Sequence, residues 1–399
     1  MKPQLNQLQA YPFQRLTALR QGTYPPANKT AIALSIGEPK HPPPTFVLDA
    51  LRQNEDKYGS YPSTKGTDSL RAAIALWLQA RFTLQSAGID PDTQVLPVSG
   101  TREALFSIAQ CLLDTTATAA PLVMMPNPFY QIYEGAALLA GAQPRYMNAT
   151  DENGYVPSLD SVSKEEWQRC QLIYICSPGN PSGAVCDLAY LKQLIELAHR
   201  HDFVIVSDEC YSEIYRDQPP TGLLEACELM GNTDYTRCLV MNSLSKRSNL
   251  AGLRSGFVAG DAKLLERYLL YRTYHGCTQP IPTQIASEAA WGDERHVIDN
   301  REAYNKKFNA SQKLLDSVWP QQIPQGGFFF WAPTPIPGEQ FSLQLYAEEN
   351  VSVLPGSYLS RECDSRNPGE YRVRMALVAP QAECLDAMQR IANFVSRLE

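Results

Sequence analysis

The 399-residue chain has no apolar run approaching the roughly 20 residues that a membrane span needs. Its first residues, Met1-Lys2-Pro3-Gln4-Leu5-Asn6, lack the apolar core of a signal peptide. The ten cysteines contain no C-x-x-C pair and no short disulfide framework. Cys176 and Cys210 fall in or beside apolar runs, as reduced thiols do. These absences predict a cytoplasmic protein with no membrane partner. There is no basic cluster either, and the formal charge is −7, which argues against nucleic acid as the main partner. Internal repeats and low-complexity tracts are missing. What remains is an ordinary globular composition, 44% hydrophobic and 19% charged, in a chain long enough for two domains.

From about residue 95, short apolar runs alternate with helical patterns. The runs cover 95–98, 122–125, 172–176, 203–207, 238–241 and 256–259. Each is continuously apolar, which predicts a mostly parallel sheet covered on both faces and hence an α/β fold. In such sheets ligands gather beyond the carboxyl ends of strands. Ser99, Tyr130, Asn180, Asp208 and Lys246 all follow these runs. Beyond them a long helix is expected over roughly 283–318, then strands near 326–331, 351–356 and 371–376, and a terminal helix. The composition shift near 285–295 marks a domain boundary, with the N-terminal arm packing on the C-terminal part.

Several segments carry chemistry. Lys246, just past an apolar strand, is held and partly desolvated, so its pKa should fall from the usual roughly 10.4. Such an amine is a nucleophile suited to a Schiff base with an aldehyde. Ser243, Ser245 and Arg254 around it make a phosphate cradle. Ser99-Gly100-Thr101 opens a helix whose free N–H groups and dipole attract phosphate. Tyr130, among Pro126, Pro128 and Phe129, offers a face for a flat ring. In the proline-rich stretch 35–44, Gly37 lets backbone approach a ligand. Taken singly, each segment also reads as a solvated loop, a capping turn, core aromatics or a connector.

Together, and in order, the motifs resemble one family, the class I/II aminotransferases, pyridoxal-phosphate enzymes of fold type I. They are Tyr61 with Gly66, Ser99-Gly100-Thr101, Tyr130, Asn180-Pro181-Ser182-Gly183, Asp208 with Tyr211, Ser243-x-x-Lys246, Arg254 and Arg374. The resemblance spans about 35 to 375. It implies a mostly parallel seven-stranded sheet in a large domain (49–288), a smaller α+β domain (289–399) and an arm (1–48). It implies pyridoxal 5'-phosphate as cofactor and no metal. Lys246 would carry the cofactor covalently and act as the base that moves the substrate's α-proton. Asp208 would pair with the pyridinium nitrogen, Asn180 and Tyr211 would bond the phenolic oxygen, and Tyr130 would stack on the ring. Gly100, Thr101, Ser243 and Arg254, with Arg102 beside them, would hold the phosphate, and Tyr61 would reach over from a second subunit. Gly37, Asn180 and Arg374 would face the substrate, Arg374 clamping its α-carboxylate. A homodimer with a shared site follows from the same resemblance.

The phrases at 35–41 and 243–249 are similar to those of bacterial succinyldiaminopimelate aminotransferases of lysine biosynthesis. That implies amino transfer between glutamate and an N-succinyl-amino-keto-pimelate. Lys40, His41, Arg15, Arg102 and Arg272 are the candidate readers of a distal carboxylate. Aminotransferases of the aspartate, alanine, LL-diaminopimelate or acetylornithine type remain open, as does a lyase using the same cofactor. A ligand sensor of a transcription regulator is the remaining reading, although only some 35 residues precede Gly37 and they carry no helix-turn-helix pattern.

Overall fold

The computed structural model describes residues 3–84, 88–116, 119–276 and 278–398. Cys277 lies outside the described residues, and the other nine cysteines are free thiols. Seven strands form the central sheet: β1 (Val95–Val98), β2 (Leu122–Asn127), β3 (Gln143–Asn148), β4 (Cys170–Cys176), β5 (Val204–Asp208), β6 (Cys238–Ser243) and β7 (Gly256–Gly260). Their spatial order is β1-β7-β6-β5-β4-β2-β3. Only β7 runs against its neighbours; the rest are mutually parallel.

The strands are apolar on both faces because both faces are covered. Successive residues alternate between two cores, as the two-residue period of a strand requires. Ile205 and Val240 enter one core with Trp77 and Leu78 of α2 (Asp68–Arg81). Leu194 of α5 (Leu188–His201) and Trp291 of α7 (Ile281–Trp291) complete that side. Val206, Leu239 and Met241 enter the other core. They meet Leu105 of α3 (Thr101–Leu112), Tyr133 of α4 (Ile132–Ala140) and Tyr268 of α6 (Ala262–His275) there.

A third core belongs to the C-terminal part. A three-stranded antiparallel sheet of β8 (Phe329–Pro333), β9 (Leu354–Pro355) and β10 (Arg372–Ala376) lies in the order β9-β10-β8. It packs with Tyr304 and Phe308 of α8 (Arg295–Leu315), with Ile32 and Leu34, and with Tyr211 and Ile214 from beyond β5. Leu16 of α1 (Pro12–Leu19) packs on Trp331, Leu354 and Tyr358.

Three expectations needed correction. The helix over 283–318 is two helices, α7 and α8, interrupted at residues 292–294. Gly292 is a poor helix former, and the Asp293 carboxylate accepts the His296 N–H at 3.1 Å, a local bond at the start of the second helix. The segment 351–356 is not one strand. Val351–Ser352 pairs with Ile32–Ala33, whereas Leu354–Pro355 pairs with β10. Finally, β3 had no counterpart in the apolar runs. It is the polar edge of the sheet, with Pro144 inside it, and edge strands need neither apolar faces nor a full set of donors.

Candidate active site

Beyond the carboxyl ends of the parallel strands lies a cavity of about 430 Å³, within the usual range for small-molecule sites. Lys246 enters it from a one-turn helix, Leu244–Arg247, that follows β6 directly. Ser243 starts that turn, its hydroxyl accepting the Ser245 N–H at 3.1 Å. The Lys246 amine donates to the Gly37 carbonyl at 2.5 Å. Burial brings its pKa down to about 8; the Arg374 charge pushes the same way, while Glu38 and Asp208 oppose it.

Asp208 closes β5 and lines the same cavity. Its Oδ2 accepts the Tyr133 hydroxyl at 2.8 Å and its Oδ1 accepts the Cys210 N–H at 3.2 Å. Burial pushes this carboxyl up, and the bonds from Tyr133 and Cys210 pull it back. Tyr133 was not singled out in the sequence; Ser245, read there as part of the cradle, lines the cavity beside Ser243.

Arg374 reaches the cavity from β10. Its Nη1 donates to Asn180 Oδ1 at 3.0 Å and its Nη2 to the Ser35 carbonyl at 2.8 Å, while Nε has no partner. Because its Oδ1 is taken, Asn180 keeps its Nδ2 donors for the cavity. Tyr211 is buried edge-on against Phe328 and Phe329. A Cβ on Gly37 would lie 2.8 Å from the Phe329 ring, so only glycine lets this loop close over the aromatic floor.

The opposite wall is the first turn of α3. Gly100 has φ +95°, and a Cβ there would lie 2.2 Å from Arg254 Nη2. Arg254 pairs with Glu103 at 2.8 Å, and Thr101 Oγ1 meets Cys210 Sγ at 3.2 Å. Tyr130 lines the cavity, and its hydroxyl accepts Arg102 Nε at 3.0 Å; Arg102 Nη2 reaches the Tyr11 hydroxyl at 2.6 Å. Tyr61 is fully exposed and does not line the cavity of its own chain.

Of the five candidate readers of a distal carboxylate, only Arg102 lines the cavity. Lys40 pairs with Glu38, Arg15 with Glu339, and His41 with Asn300. Arg272 is buried and donates to the Pro97 carbonyl at 2.7 Å. These four do not line the cavity, and each has a neighbour of its own.

The cavity brackets two buried groups of opposite charge that lack an ion-pair partner among the described residues. Asp208 has no salt bridge, and Arg374 has neither a carboxylate partner nor a bond at Nε, among the described residues. Such groups call for a ligand that brings a cation to one and an anion to the other. A protonated pyridine nitrogen facing Asp208, an aldehyde facing the Lys246 amine and a substrate carboxylate facing Arg374 meet that demand. The N-terminus of α3 with Ser243, Ser245 and Arg254 suits a phosphate. These residues fit pyridoxal phosphate.

The family model of aminotransferase class I and II matches residues 29–391. This chain belongs to the class I and II aminotransferases. A solved aminotransferase from Neisseria meningitidis is 45% identical, covers 99% of this chain and 100% of its own, and superposes with a TM-score of 0.95. The LL-diaminopimelate aminotransferase of Dehalococcoides mccartyi is 29% identical over 92% of both chains. A solved protein from Thermus thermophilus, a probable N-succinyldiaminopimelate aminotransferase, superposes with a TM-score of 0.83 at 24% identity, a likeness of fold alone. The fold is that of fold type I aminotransferases, and the cofactor of this family is pyridoxal phosphate. Among the described residues, no helix is long and apolar enough to cross a membrane.

Proposed function

We propose that this aminotransferase moves an amino group from glutamate to an amino-keto acid of the diaminopimelate series, the N-succinylated form being the first candidate and the free LL form the second. The observation that carries this reading is a cavity with three arginines in its lining, of which Arg254 goes to the phosphate and Arg374 and Arg102 are left for the substrate. An acceptor with carboxylates at both ends suits such a pair. The phrases at 35–41 and 243–249 favour the succinylated acceptor, and the LL-diaminopimelate relative favours the same chemical series.

Bound in the cavity, pyridoxal phosphate supplies an electrophilic carbon and a sink for electrons. The chain's own groups do the rest. Lys246 Nζ would take the proton from the substrate α-carbon and deliver it to the carbon of the cofactor's aldehyde, on the far side of the amino nitrogen. Asp208 keeps a proton on the ring nitrogen, and Asn180 Nδ2 and the Tyr211 hydroxyl donate to the ring oxygen. Tyr130 covers one ring face. Gly100, Thr101, Ser243 and Arg254 anchor the phosphate, with Tyr61 of a second copy joining them in a homodimer. Gly37 and Arg374 align the substrate so that its α-hydrogen faces the amine. Arg102, bonded to Tyr130 and Tyr11, faces the substrate's far end rather than the phosphate. The division into an arm (1–48), a large domain (49–288) and a small domain (289–399) belongs to the same proposal, supported by the separate cores.

The test is a panel of oxo-acid acceptors with glutamate as donor. N-succinyl-amino-keto-pimelate is expected to exceed the free and N-acetyl compounds. Arg102→Gln is expected to raise KM for every dicarboxylic acceptor and to leave pyruvate unaffected. A preference for aromatic or short neutral acceptors rejects the substrate assignment, and release of ammonia without an oxo acid rejects amino transfer.

A further inference from the structure

The one-turn helix that carries Lys246 ends without intrahelical partners for its last carbonyls, as any helix does. Asn300, on the first turns of α8 and 5% exposed, supplies them. Its Nδ2 donates to the Lys246 carbonyl at 3.1 Å and to the Arg247 carbonyl at 3.2 Å. Two carbonyls on the nitrogen side fix which way the amide points. Its Oδ1 therefore faces the other two neighbours, Asn249 Nδ2 at 3.1 Å and His41 Nδ1 at 2.8 Å. His41 must donate, so its Nδ1 carries a proton in either charge state of the ring. All four hydrogen-bonding positions of one buried amide are in use.

What Asn300 joins is specific. Its partner His41 stands four residues beyond Gly37, and the Gly37 carbonyl is where the Lys246 amine rests. The His41 ring also packs tilted against Tyr304 at 4.6 Å, Tyr304 stacks on Phe328 at 5.3 Å, and the Lys246 amine lies 5.3 Å from the Phe328 ring centre. The backbone of Lys246 and the loop that receives its amine are thus tied to each other through one side chain. The neighbouring residues reinforce the tie. Arg247 lies over the adjoining rings of Trp77 and Trp291 and donates to the Ala290 carbonyl at 2.8 Å, and Ser248 Oγ meets His296 Nε2 at 2.8 Å.

We propose that Asn300, with His41 as its partner, is a positioning residue for Lys246, fixing the main chain from which the amine reaches the cofactor and the loop against which it rests. The inference rests on the reading of Lys246 as the cofactor-bearing lysine. It is tested on holoenzyme by the pH titration of the cofactor's visible absorption, by steady-state kinetics, and by mapping the borohydride-reduced adduct. Asn300→Leu is expected to keep the adduct on Lys246 and to lower kcat roughly tenfold with little change in KM, since small misplacements of a reacting group are expensive. The titration midpoint is expected to move by about half a pH unit or more, because an amine's proton affinity follows its surroundings. His41→Phe should reproduce the shift, and His41→Gln, which keeps a donor, should reverse most of it. An intact adduct with unchanged midpoint and kcat in Asn300→Leu overturns the proposal, whatever happens to the melting temperature. If that variant does not fold, an unchanged midpoint in His41→Phe overturns it equally. An adduct on another residue in the unaltered enzyme removes the Lys246 reading itself.

Discussion

The Tyr133 hydroxyl donates to Asp208 Oδ2 at 2.8 Å, from the first turn of α4 to the last residue of β5. Tyr133 is wholly buried and stacks on Tyr174 at 4.7 Å, so its hydroxyl has little freedom to point elsewhere. The bond favours the ionised carboxylate against a burial that disfavours it. Tyr133→Phe removes that donor and leaves the ring's packing. A hydrogen bond to a buried charge contributes about 1.5–3 kcal/mol, which sets an expected loss of roughly 10- to 100-fold in kcat. The acid limb of the kcat/KM profile should move to higher pH, because Asp208 would hold its proton longer. An unchanged limb and kcat would show that Tyr133 serves packing alone.

Lys246 titrates near pH 8 in the fold, below the ordinary lysine value of 10.5. Below about 8 its amine is protonated and not nucleophilic; above it, the amine is free to react. Cofactor-stripped enzyme should therefore recapture pyridoxal phosphate about tenfold faster for each pH unit gained below 8, and then level off. Stopped-flow absorbance reads this directly. Lys246→Ala should give neither turnover nor a borohydride-stable adduct. A rate still climbing at pH 10 would place the amine in water-like surroundings.

Arg374 is a buried cation with an unpaired Nε and a pKa brought down to about 10 by burial. Arg374→Lys keeps a charge but loses the planar fork, so KM for both amino donor and oxo acceptor should rise by roughly 100-fold, about 3 kcal/mol. The cofactor's dissociation constant should hold. Equal KM values in variant and parent would remove Arg374 from substrate recognition.

Glu209, next to Asp208 but bonded to Ser207 Oγ and the Leu223 N–H, has its pKa pushed up to about 7 by burial. In the unfolded chain it ionises near 4.5, so stability falls as pH rises from about 4.5 to 7 and the deficit is complete above 7. Glu209→Gln should therefore gain on the parent by as much as about 3 kcal/mol at pH 8 and gain nothing at pH 4. Denaturant melts at the two pH values decide it; an equal difference at both would mean the carboxyl does not titrate in this window.

The part of the fold that depends on apolar runs could be read from the chain. Val95–Val98 and Gly256–Gly260 were predicted within a residue because buried strands are continuously apolar and bounded by glycine or serine. The edge strand Gln143–Asn148 was not, since its residues are polar and its pairing comes from Leu122–Asn127 alone. The site divides along a similar line. Lys246, Asp208 and Asn180 stand at strand ends or just beyond them, where a linear motif records them. Tyr133 and Asn300 reach their targets across 75 and 54 residues of chain, so only the folded arrangement discloses them.

The reversed direction of Gly256–Gly260 has one further consequence. Because Gly256 sits opposite Ser243 in the ladder, the stretch between them leaves the sheet and returns to the same point. Ser245, Lys246 and Arg254 all ride on that single excursion, so these three side chains share one hairpin tip, which faces Gly100 and Thr101 across the cavity. Its two stems are held in register by the sheet, so a residue inserted between them would displace Lys246 and Arg254 together and leave the strands in place.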